Sequence, residues 1–201
     1  MASSKKSVID QNILITYGGV AKRYEKGELI YQEGNIANFF YQVIEGKVRI
    51  FCANDEGKEL TRYYVLAGQT FGEAPILTNK PYACTAQASA SAVVIKIGIE
   101  KLLNLLHDFP EIANDLLFNF AQKLYASSCS TQILNGQTPE EKITRFLTHN
   151  KKGGENVIER VPFTRQQIAD FTGLRVETVI RALLRMNEQG KVKIINRKVY
   201  F

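Results

Sequence analysis

Two residues that could read DNA, Glu177 and Arg181, lie four positions apart in the stretch VETVIRALLRM. In a helix this spacing places both side chains on one face. An arginine can donate two hydrogen bonds to O6 and N7 of guanine, and a carboxylate can accept one from N4 of cytosine. The opposite, apolar side of the helix would be formed by Val176, Val179, Ala182, Leu183 and Met186. The pattern predicts a helix that packs on a core and enters the major groove. An amphipathic hairpin with solvated charges is the open alternative, because such patterns also arise by chance.

The flanking residues predict that this helix belongs to a helix-turn-helix. Thr164 followed three residues later by Gln167 is typical of a capping box at the start of a preceding helix. Gly173 suits the turn between the two helices, because a left-handed backbone is accessible to glycine. After the second helix ends between residues 187 and 190, KVKIINRKVYF predicts two strands joined at Asn196-Arg197. The whole region therefore predicts a helix-turn-helix followed by a basic β wing.

The distribution of charge supports a nucleic-acid partner for this region. The chain has 201 residues and a formal net charge of +6. From Asn135 onward it carries 13 of its 26 Lys and Arg but only seven of its 20 Asp and Glu, so the whole excess lies in the last third. Positive charge concentrated beside a helix-turn-helix is what attraction to DNA phosphates requires.

Composition limits the other classes of function. A hydrophobic content of 45% over this length can fill one large or two modest cores. No apolar run is long enough to cross a membrane, and the start MASSKKSVIDQ lacks the apolar segment of a signal peptide. Cys52, Cys84 and Cys129 show no CxxC spacing, which favours neither a disulfide framework nor a zinc site and fits a reducing cytoplasm. No membrane partner is expected.

The rest of the chain predicts a β domain followed by a long helix. A helix packed on the outside is expected up to about Lys22, and short apolar alternations separated by glycines from Tyr24 to Ile97 predict an antiparallel sandwich or jelly roll. Apolar residues at three- and four-residue steps predict a long helix with a buried seam over 110–134. A cupin-type metalloenzyme could use the same roll, but the only two histidines, His107 and His149, lie outside it.

The stretch TRQQIADFTGLRVETVIRALLRM resembles the DNA-binding helices of the CRP/FNR superfamily, bacterial regulators that include the cyclic-AMP receptor protein. The shared pattern is T-R-x-x-I-A…G-x-x-x-E-T-V-x-R-x-L. The resemblance implies that Glu177 and Arg181 read base edges. It also implies that the phosphates are held by Thr164, Arg165, Gln166 and Arg175. The residues on or beside the reading face are Val176, Thr178 and Ile180, of which the two apolar ones could touch thymine methyl groups.

KGELIYQEGN, YQVIEGKVRI and GQTFGEAPIL resemble the cyclic-nucleotide-binding roll of the same family. Gly72 and Glu73 stand where the family holds the ribose, whereas Tyr82 and Ala83 stand where its arginine and hydroxyl residue grip the cyclic phosphate. Because tyrosine lacks the charged fork of arginine, cyclic AMP is not expected to bind, and whether the pocket itself remains is left open. Glu73 could instead bond to local backbone N–H groups.

Two further residues, Ser127 and Ser128, match the positions from which the family's dimer helix touches the nucleotide. They could equally be small polar residues tolerated near the end of that helix.

The sequence is thus interpreted as an α+β, homodimeric transcription regulator and not an enzyme. We expect a β-roll sensor over 1–108, a dimerisation helix over 109–135 and a winged helix-turn-helix over 136–201. The expected partners are double-stranded DNA, a second copy of the chain and RNA polymerase. No cofactor is predicted, and an unidentified small-molecule effector is left open. The alternative is a ligand-sensing module or regulatory subunit that does not bind DNA.

Overall fold

The computed structural model describes residues 8–53, 57, 59–151, 153 and 157–201. The chain forms two compact units that divide between Lys123 and Leu124. The first unit contains eight strands and the helices of the β domain, namely α1 (Gln11–Thr16), β1 (Val20–Tyr24), β2 (Leu29–Tyr31), β3 (Phe39–Glu45), β4 (Lys47–Ala53), β5 (Glu59–Leu66), β6 (Thr70–Phe71), α2 (Glu73–Thr78), β7 (Thr85–Ala88), β8 (Ala92–Gly98), α3 (Ile99–Asp108) and the first part of α4 (Pro110–Leu134). The second unit contains the rest of α4, followed by α5 (Pro139–Asn150), α6 (Arg165–Thr172), α7 (Val176–Glu188), β9 (Lys193–Ile195) and β10 (Lys198–Tyr200).

The first unit is the predicted antiparallel roll. One four-stranded sheet has the order β1-β8-β3-β6 and the other has the order β2-β7-β4-β5. Residues alternate along the strands, so that side chains such as Val43, Val48, Ile50 and Val94 fill the space between the sheets. The roll predicted from the apolar alternations is therefore confirmed.

The N-terminal expectation is correct only in part. A helix does form, with Asp10 as its N-cap, but it ends at Thr16, and Val20–Tyr24 is strand β1 paired with β8. The buried amide of Gln42 fixes the start of this helix on β3, since it donates to the carbonyl of Ile9 over 2.7 Å and accepts from the Ile9 N–H over 3.0 Å. Residues 1–7, which belonged to the same expectation, lie outside the described residues.

Helix α4 begins at Pro110 and ends at Leu134, as the apolar spacing predicts. The buried seam expected along it is incomplete within one chain. Ile112 and Leu116 are buried, whereas Leu117 and Leu124 are 64% and 71% exposed. One side of the helix therefore packs on the roll, and a second apolar side is not covered by any of the described residues.

The second unit packs three helices and a two-stranded wing around one apolar core. Thr164 and Gln167 form the predicted capping box of α6, and Gly173 follows that helix with φ of +67°. Phe146 is buried at the centre, where its ring lies 5.0 Å from that of Phe163 and 5.5 Å from that of Phe171. This confirms the predicted helix-turn-helix and wing. Across the described residues, no helix combines the length and apolar character needed to span a membrane.

Candidate nucleic-acid interface and sensor pocket

The predicted reading helix is α7, which begins after Arg175 as its N-cap. Its inner side anchors it in the core of the second unit through four buried residues, Val179, Ala182, Leu183 and Met186. The side chains at the start of the opposite side, Glu177, Ile180 and Arg181, are exposed. The helix is therefore held rigidly while its outer side remains open.

The outer side of α7 carries the predicted base-reading pair. Glu177 and Arg181 are both exposed, and neither has a hydrogen-bonding or ion-pair partner among the residues that the structure describes. Ile180 beside them is 43% exposed, and Thr178 is half-buried. Val176 is also half-buried, because it packs against the core of the unit. Two charged groups and one apolar group are thus available for contact on a single helical face.

Three of the four predicted phosphate-contacting residues, Thr164, Arg165 and Gln166, lie at the start of helix α6. Thr164 accepts the N–H of Gln167 over 3.1 Å, while the Gln167 side chain accepts the N–H of Thr164 over 2.9 Å. Gln166 is exposed and donates to Asp170 over 2.8 Å along the helix. Arg175 at the start of α7 is exposed and has no partner among the described residues.

Arg165 has a structural contact that the sequence did not predict. Its Nη1 donates to the carbonyl oxygen of Arg197 over 2.6 Å, which ties the start of α6 to the tip of the wing. The tip residues Asn196 and Arg197 have φ of +48° and +61°, as a two-residue hairpin turn of type I′ requires. Left-handed backbone is unfavourable for arginine, so the bond from Arg165 helps to hold this turn.

A second arginine, Arg185, is engaged within the protein rather than free on the outer side of α7. Its guanidinium bonds the carboxylate of Glu140 at the start of α5, with N–O distances of 2.7 and 2.5 Å. Burial alone would raise the pKa of Glu140, but the hydrogen bond and charge of Arg185 lower it overall. Arg185 therefore positions α7 against α5 and is not a candidate for base reading.

The predicted ligand-binding residues Gly72 and Glu73 lie together where β6 ends and α2 begins. Gly72 has φ of +79°, and a Cβ added there would lie 2.9 Å from the ring of Tyr41. The side chain of Glu73 is only 8% exposed and forms an ion pair with Lys123 from α4. Its other oxygen, Oε2, is buried without a hydrogen-bond partner in the described part of the chain. The alternative in which Glu73 bonds only to local backbone groups does not account for the ion pair.

Lys123 is a functional candidate that sequence reasoning missed. Besides Glu73, its ammonium group donates to the carbonyl oxygen of Thr70 over 2.6 Å and to the Thr70 hydroxyl over 3.1 Å. It lies 50 residues from Glu73, and within α4 it looks like an ordinary surface lysine. No local pattern indicates such a pair.

Tyr82 fills the interior of the roll at the position predicted for the phosphate clamp. It is 3% exposed, and its ring stacks on that of Tyr31 at 3.8 Å between centroids. Its hydroxyl donates to the carbonyl oxygen of Phe39 over 3.0 Å and accepts the Phe39 N–H over 3.3 Å. Tyr41 and Phe71 continue the aromatic cluster, with ring centroids 5.0 Å apart.

The hydroxyls of Tyr31 and Tyr41 carry no negative charge at neutral pH. Burial raises the pKa of Tyr31 well above its usual range. Burial, followed by hydrogen bonding with Tyr82, also raises the pKa of Tyr41. Neutral aromatic groups thus occupy the space where the resemblance leads one to expect an anion.

The remaining predicted ligand residues do not join this cluster. Ala83 is exposed. Ser127 and Ser128 are exposed on α4 in the second unit, where Ser128 donates back to the carbonyl oxygen of Leu124 over 3.1 Å. Among the described residues, no group of three or more His, Cys, Asp or Glu side chains is arranged to hold a metal ion.

The cysteines depart from expectation. Cys52 at the end of β4 and Cys84 just before β7 are brought together as a pair, with Cα atoms 4.8 Å apart. The cysteine spacing favoured no disulfide, and that expectation is wrong for these two, because their pairing joins neighbouring strands across a sequence separation of 32 residues. The side chain of Cys129 lies outside the described residues.

Comparisons with known proteins agree with both units. Residues 21–109 match the cyclic nucleotide-binding domain, and residues 141–200 match the Crp-like helix-turn-helix domain. The transcriptional activator protein FnrA of Stutzerimonas stutzeri is 26% identical over 87% of this chain and 73% of its own. The cyclic AMP receptor protein of Thermus thermophilus is 25% identical over 85% and 78% of the two chains.

Solved structures give the same result. FixK2 from Bradyrhizobium japonicum is 26% identical and superposes with a TM-score of 0.65 over 90% of this chain and 91% of its own. The c-di-GMP responsive regulator CLP of Xanthomonas campestris, at 20% identity, has the same fold, with a TM-score of 0.75 over 94% and 98%. With its roll, its long helix and its winged helix-turn-helix, the chain belongs to the CRP/FNR family of DNA-binding transcription regulators.

Proposed function

We propose that this regulator binds an inverted-repeat DNA site as a homodimer and that cyclic AMP is not its effector. The observation that carries the DNA-binding role is the outer side of α7, where Glu177 and Arg181 are exposed without a protein partner among the described residues. Unpaired Arg and Glu side chains on a rigid helix can exchange water for base edges without first breaking bonds within the protein. Thr164, Arg165, Gln166 and Arg175 lie on the elements beside it and supply the phosphate contacts.

The uncovered side of α4 supports a dimer. Leu117 and Leu124 are seven residues apart, as are Phe118 and Tyr125, and each of the four is between 64% and 73% exposed. Apolar residues that repeat every seven positions lie along one stripe of a helix, which is the pattern that pairs two helices in a coiled coil. A second copy of the chain provides an identical stripe and covers this one symmetrically.

The interior of the roll supports independence from cyclic nucleotides. A cyclic phosphate buried at this position would meet the neutral ring of Tyr82 rather than a guanidinium group, and the exposed Ala83 offers no hydroxyl. A buried anion without a charged partner is unfavourable by several kcal/mol. Gly72 and Glu73 alone do not supply that compensation, because the carboxylate is itself an anion paired with Lys123.

Promoter DNA and RNA polymerase are the expected partners, in the cytoplasm, and no enzymatic activity is expected. His107 and His149 lie in α3 and α5 rather than on the strands of the roll, so a cupin-type centre is not favoured. Ser127 and Ser128 lie on α4, so they would contact an effector only if it extends from the roll to that helix.

The proposal is tested by selecting binding sites from random DNA and footprinting the purified full-length protein on the selected sequence. We expect an inverted repeat whose half-site centres lie about 34 Å apart, one turn of DNA, with two chains per duplex. Added cyclic AMP or cyclic GMP should leave the dissociation constant unchanged. A footprint confined to one half-site with one chain per duplex would contradict the dimer, and tighter binding with cyclic AMP would contradict the sensor assignment.

Two arginines on one helix provide a matched pair of variants. Arg181→Ala should weaken binding to the selected site by about 1–3 kcal/mol and relax the preference at one G·C pair. Arg185→Ala removes the bond to Glu140 instead, so it should lower the stability of the second unit and leave base preference unchanged. Equal weakening of selected and random DNA by Arg181→Ala would exclude its base-reading role.

A further inference from the structure

A second feature of the roll, the pairing of Cys52 with Cys84, follows from strand register. Strands β4 and β7 are antiparallel, and the register ends with Phe51 opposite Thr85. One more residue on each strand places the two cysteines opposite each other, with Cα atoms 4.8 Å apart. This distance lies within the range that a disulfide spans and is close to that of non-hydrogen-bonded cross-strand pairs, in which the side chains come nearest. The backbone therefore presents two thiols to each other without any rearrangement.

Both cysteines are half-buried, so a small thiol reagent can reach them. Cys84 also packs against the apolar core of the roll. A regulator of bacterial promoters works where cellular thiols are kept reduced, and disulfides in such compartments are mostly transient or redox-sensing rather than structural. Proximity and partial exposure together favour a bond that forms and breaks.

The position of the pair determines what the bond would hold. Cys84 follows Tyr82 by two residues, and the backbone around Tyr82 is already tied on its other side to the loop before β3. The N–H of Tyr82 donates to the carbonyl oxygen of Asn35 over 2.9 Å, and the N–H of Gly34 donates to the carbonyl oxygen of Tyr82 over 2.8 Å. A covalent bond to Cys52 would fasten the same segment to β4 as well.

We propose that Cys52 and Cys84 form a reversible thiol–disulfide site that fastens the Tyr82 segment in the roll. The oxidant is a low-molecular-weight disulfide. One cysteine thiolate attacks it, forms a mixed disulfide and releases one small thiolate. The second cysteine loses its proton to solvent and attacks the protein sulfur of the mixed disulfide, which releases the second small thiol. The protein pair gives up two electrons and two protons, and the small disulfide is reduced to two thiols.

The test uses the full-length protein carrying Cys129→Ser, which leaves only the paired cysteines. The protein is equilibrated with mixtures of oxidised and reduced glutathione, quenched with an alkylating reagent and weighed by mass spectrometry. We expect two alkylated cysteines in reduced glutathione, none in oxidised glutathione, and full interconversion when the mixture is reversed. Two free thiols under every mixture, or a bond that reduced glutathione cannot remove, would overturn the site.

Hydrogen exchange tests the link to Tyr82. In the oxidised protein the amides of Tyr82 and Gly34 should exchange at least several-fold more slowly than in the reduced protein. Cys52→Ser should show the faster rate under both conditions, and Cys84→Ser is a second variant that must agree with it. Identical exchange in the two states would show that the bond does not fasten this segment. Because neither readout involves DNA, failure here is distinguishable from failure of the proposed function.

Discussion

Replacing Lys123 by methionine tests whether the sensor roll depends on an internal ion pair. The ammonium group of Lys123 contacts Glu73 and donates two hydrogen bonds to Thr70. The Glu73 side chain is 8% exposed and that of Lys123 is 29% exposed. One carboxylate oxygen already lacks a hydrogen-bond partner among the described residues. Lys123→Met would therefore leave a buried carboxylate without a compensating charge.

The expected loss of stability follows from these exposures. Removing one partner of a fully buried ion pair costs about 3–5 kcal/mol. Because water reaches Lys123 in part, we expect a smaller decrease in the free energy of unfolding, about 2–3 kcal/mol. Glu73→Gln should cost less than half of this, since Lys123 keeps its two acceptors on Thr70 and its access to water. The double variant should recover most of the loss, because replacing both charged partners leaves no uncompensated charge.

Urea unfolding followed by tyrosine fluorescence measures these differences. The protein has no tryptophan, and seven of its nine tyrosines precede Lys123, so the signal reports mainly on the first unit. A decrease below about 0.5 kcal/mol for Lys123→Met would refute the assignment, since that is the behaviour of an exposed surface pair.

Three further variants test separate parts of the molecule. Arg165→Ala should weaken binding to all DNA sequences alike and lower the salt slope by about 1. Arg197→Gly suits the positive φ at that position, so it should keep the wing turn and should also weaken all sequences alike with a lower salt slope. Gel shifts over a salt series measure both effects, and a change in base preference for either variant would contradict them. Tyr82→Arg combined with Ala83→Ser should bring cyclic-AMP binding from undetectable to measurable by calorimetry. If no binding appears, the two substitutions do not restore the site, and the ion pair between Glu73 and Lys123 is then the contact that blocks it. The fragment 1–134 should remain folded and dimeric in sedimentation but show no DNA affinity, because the excess positive charge lies beyond it; a monomer at tens of micromolar would place the dimer contact elsewhere.

Elements defined by local patterns were predictable from the sequence. The limits of α4 follow from Pro110 and the apolar spacing, and those of α6 follow from the Thr164–Gln167 capping box and Gly173. Each depends on residues within one or two helical turns. The exposed pair Glu177 and Arg181 was found for the same reason, since four-residue spacing in a helix is a local property.

Features that depend on distant pairing were not predictable. Strand β1 contains Val20, which pairs with Lys96 far along the chain, so VAKRY resembled the end of the preceding helix until its partner strand was known. The ion pair between Glu73 and Lys123 spans 50 residues. The pair formed by Cys52 and Cys84 has a sequence separation of 32 residues. In each case the residue types are ordinary, and only the topology of the roll brings them together.

The contacts inside the roll determine what an effector would have to do. A ligand shifts an equilibrium between two states only through a difference in its affinity for them. Here the hydroxyl of Tyr82 is bonded to Phe39, its ring is stacked on Tyr31, and Glu73 is paired with Lys123. An effector that enters this space must first displace those contacts, so its binding is weakened by the free energy that they contribute. Cys84 follows Tyr82 by two residues and packs at the edge of the same core, so a bond to Cys52 would act on this segment through the backbone and would not need to displace the Tyr82 or Glu73 contacts.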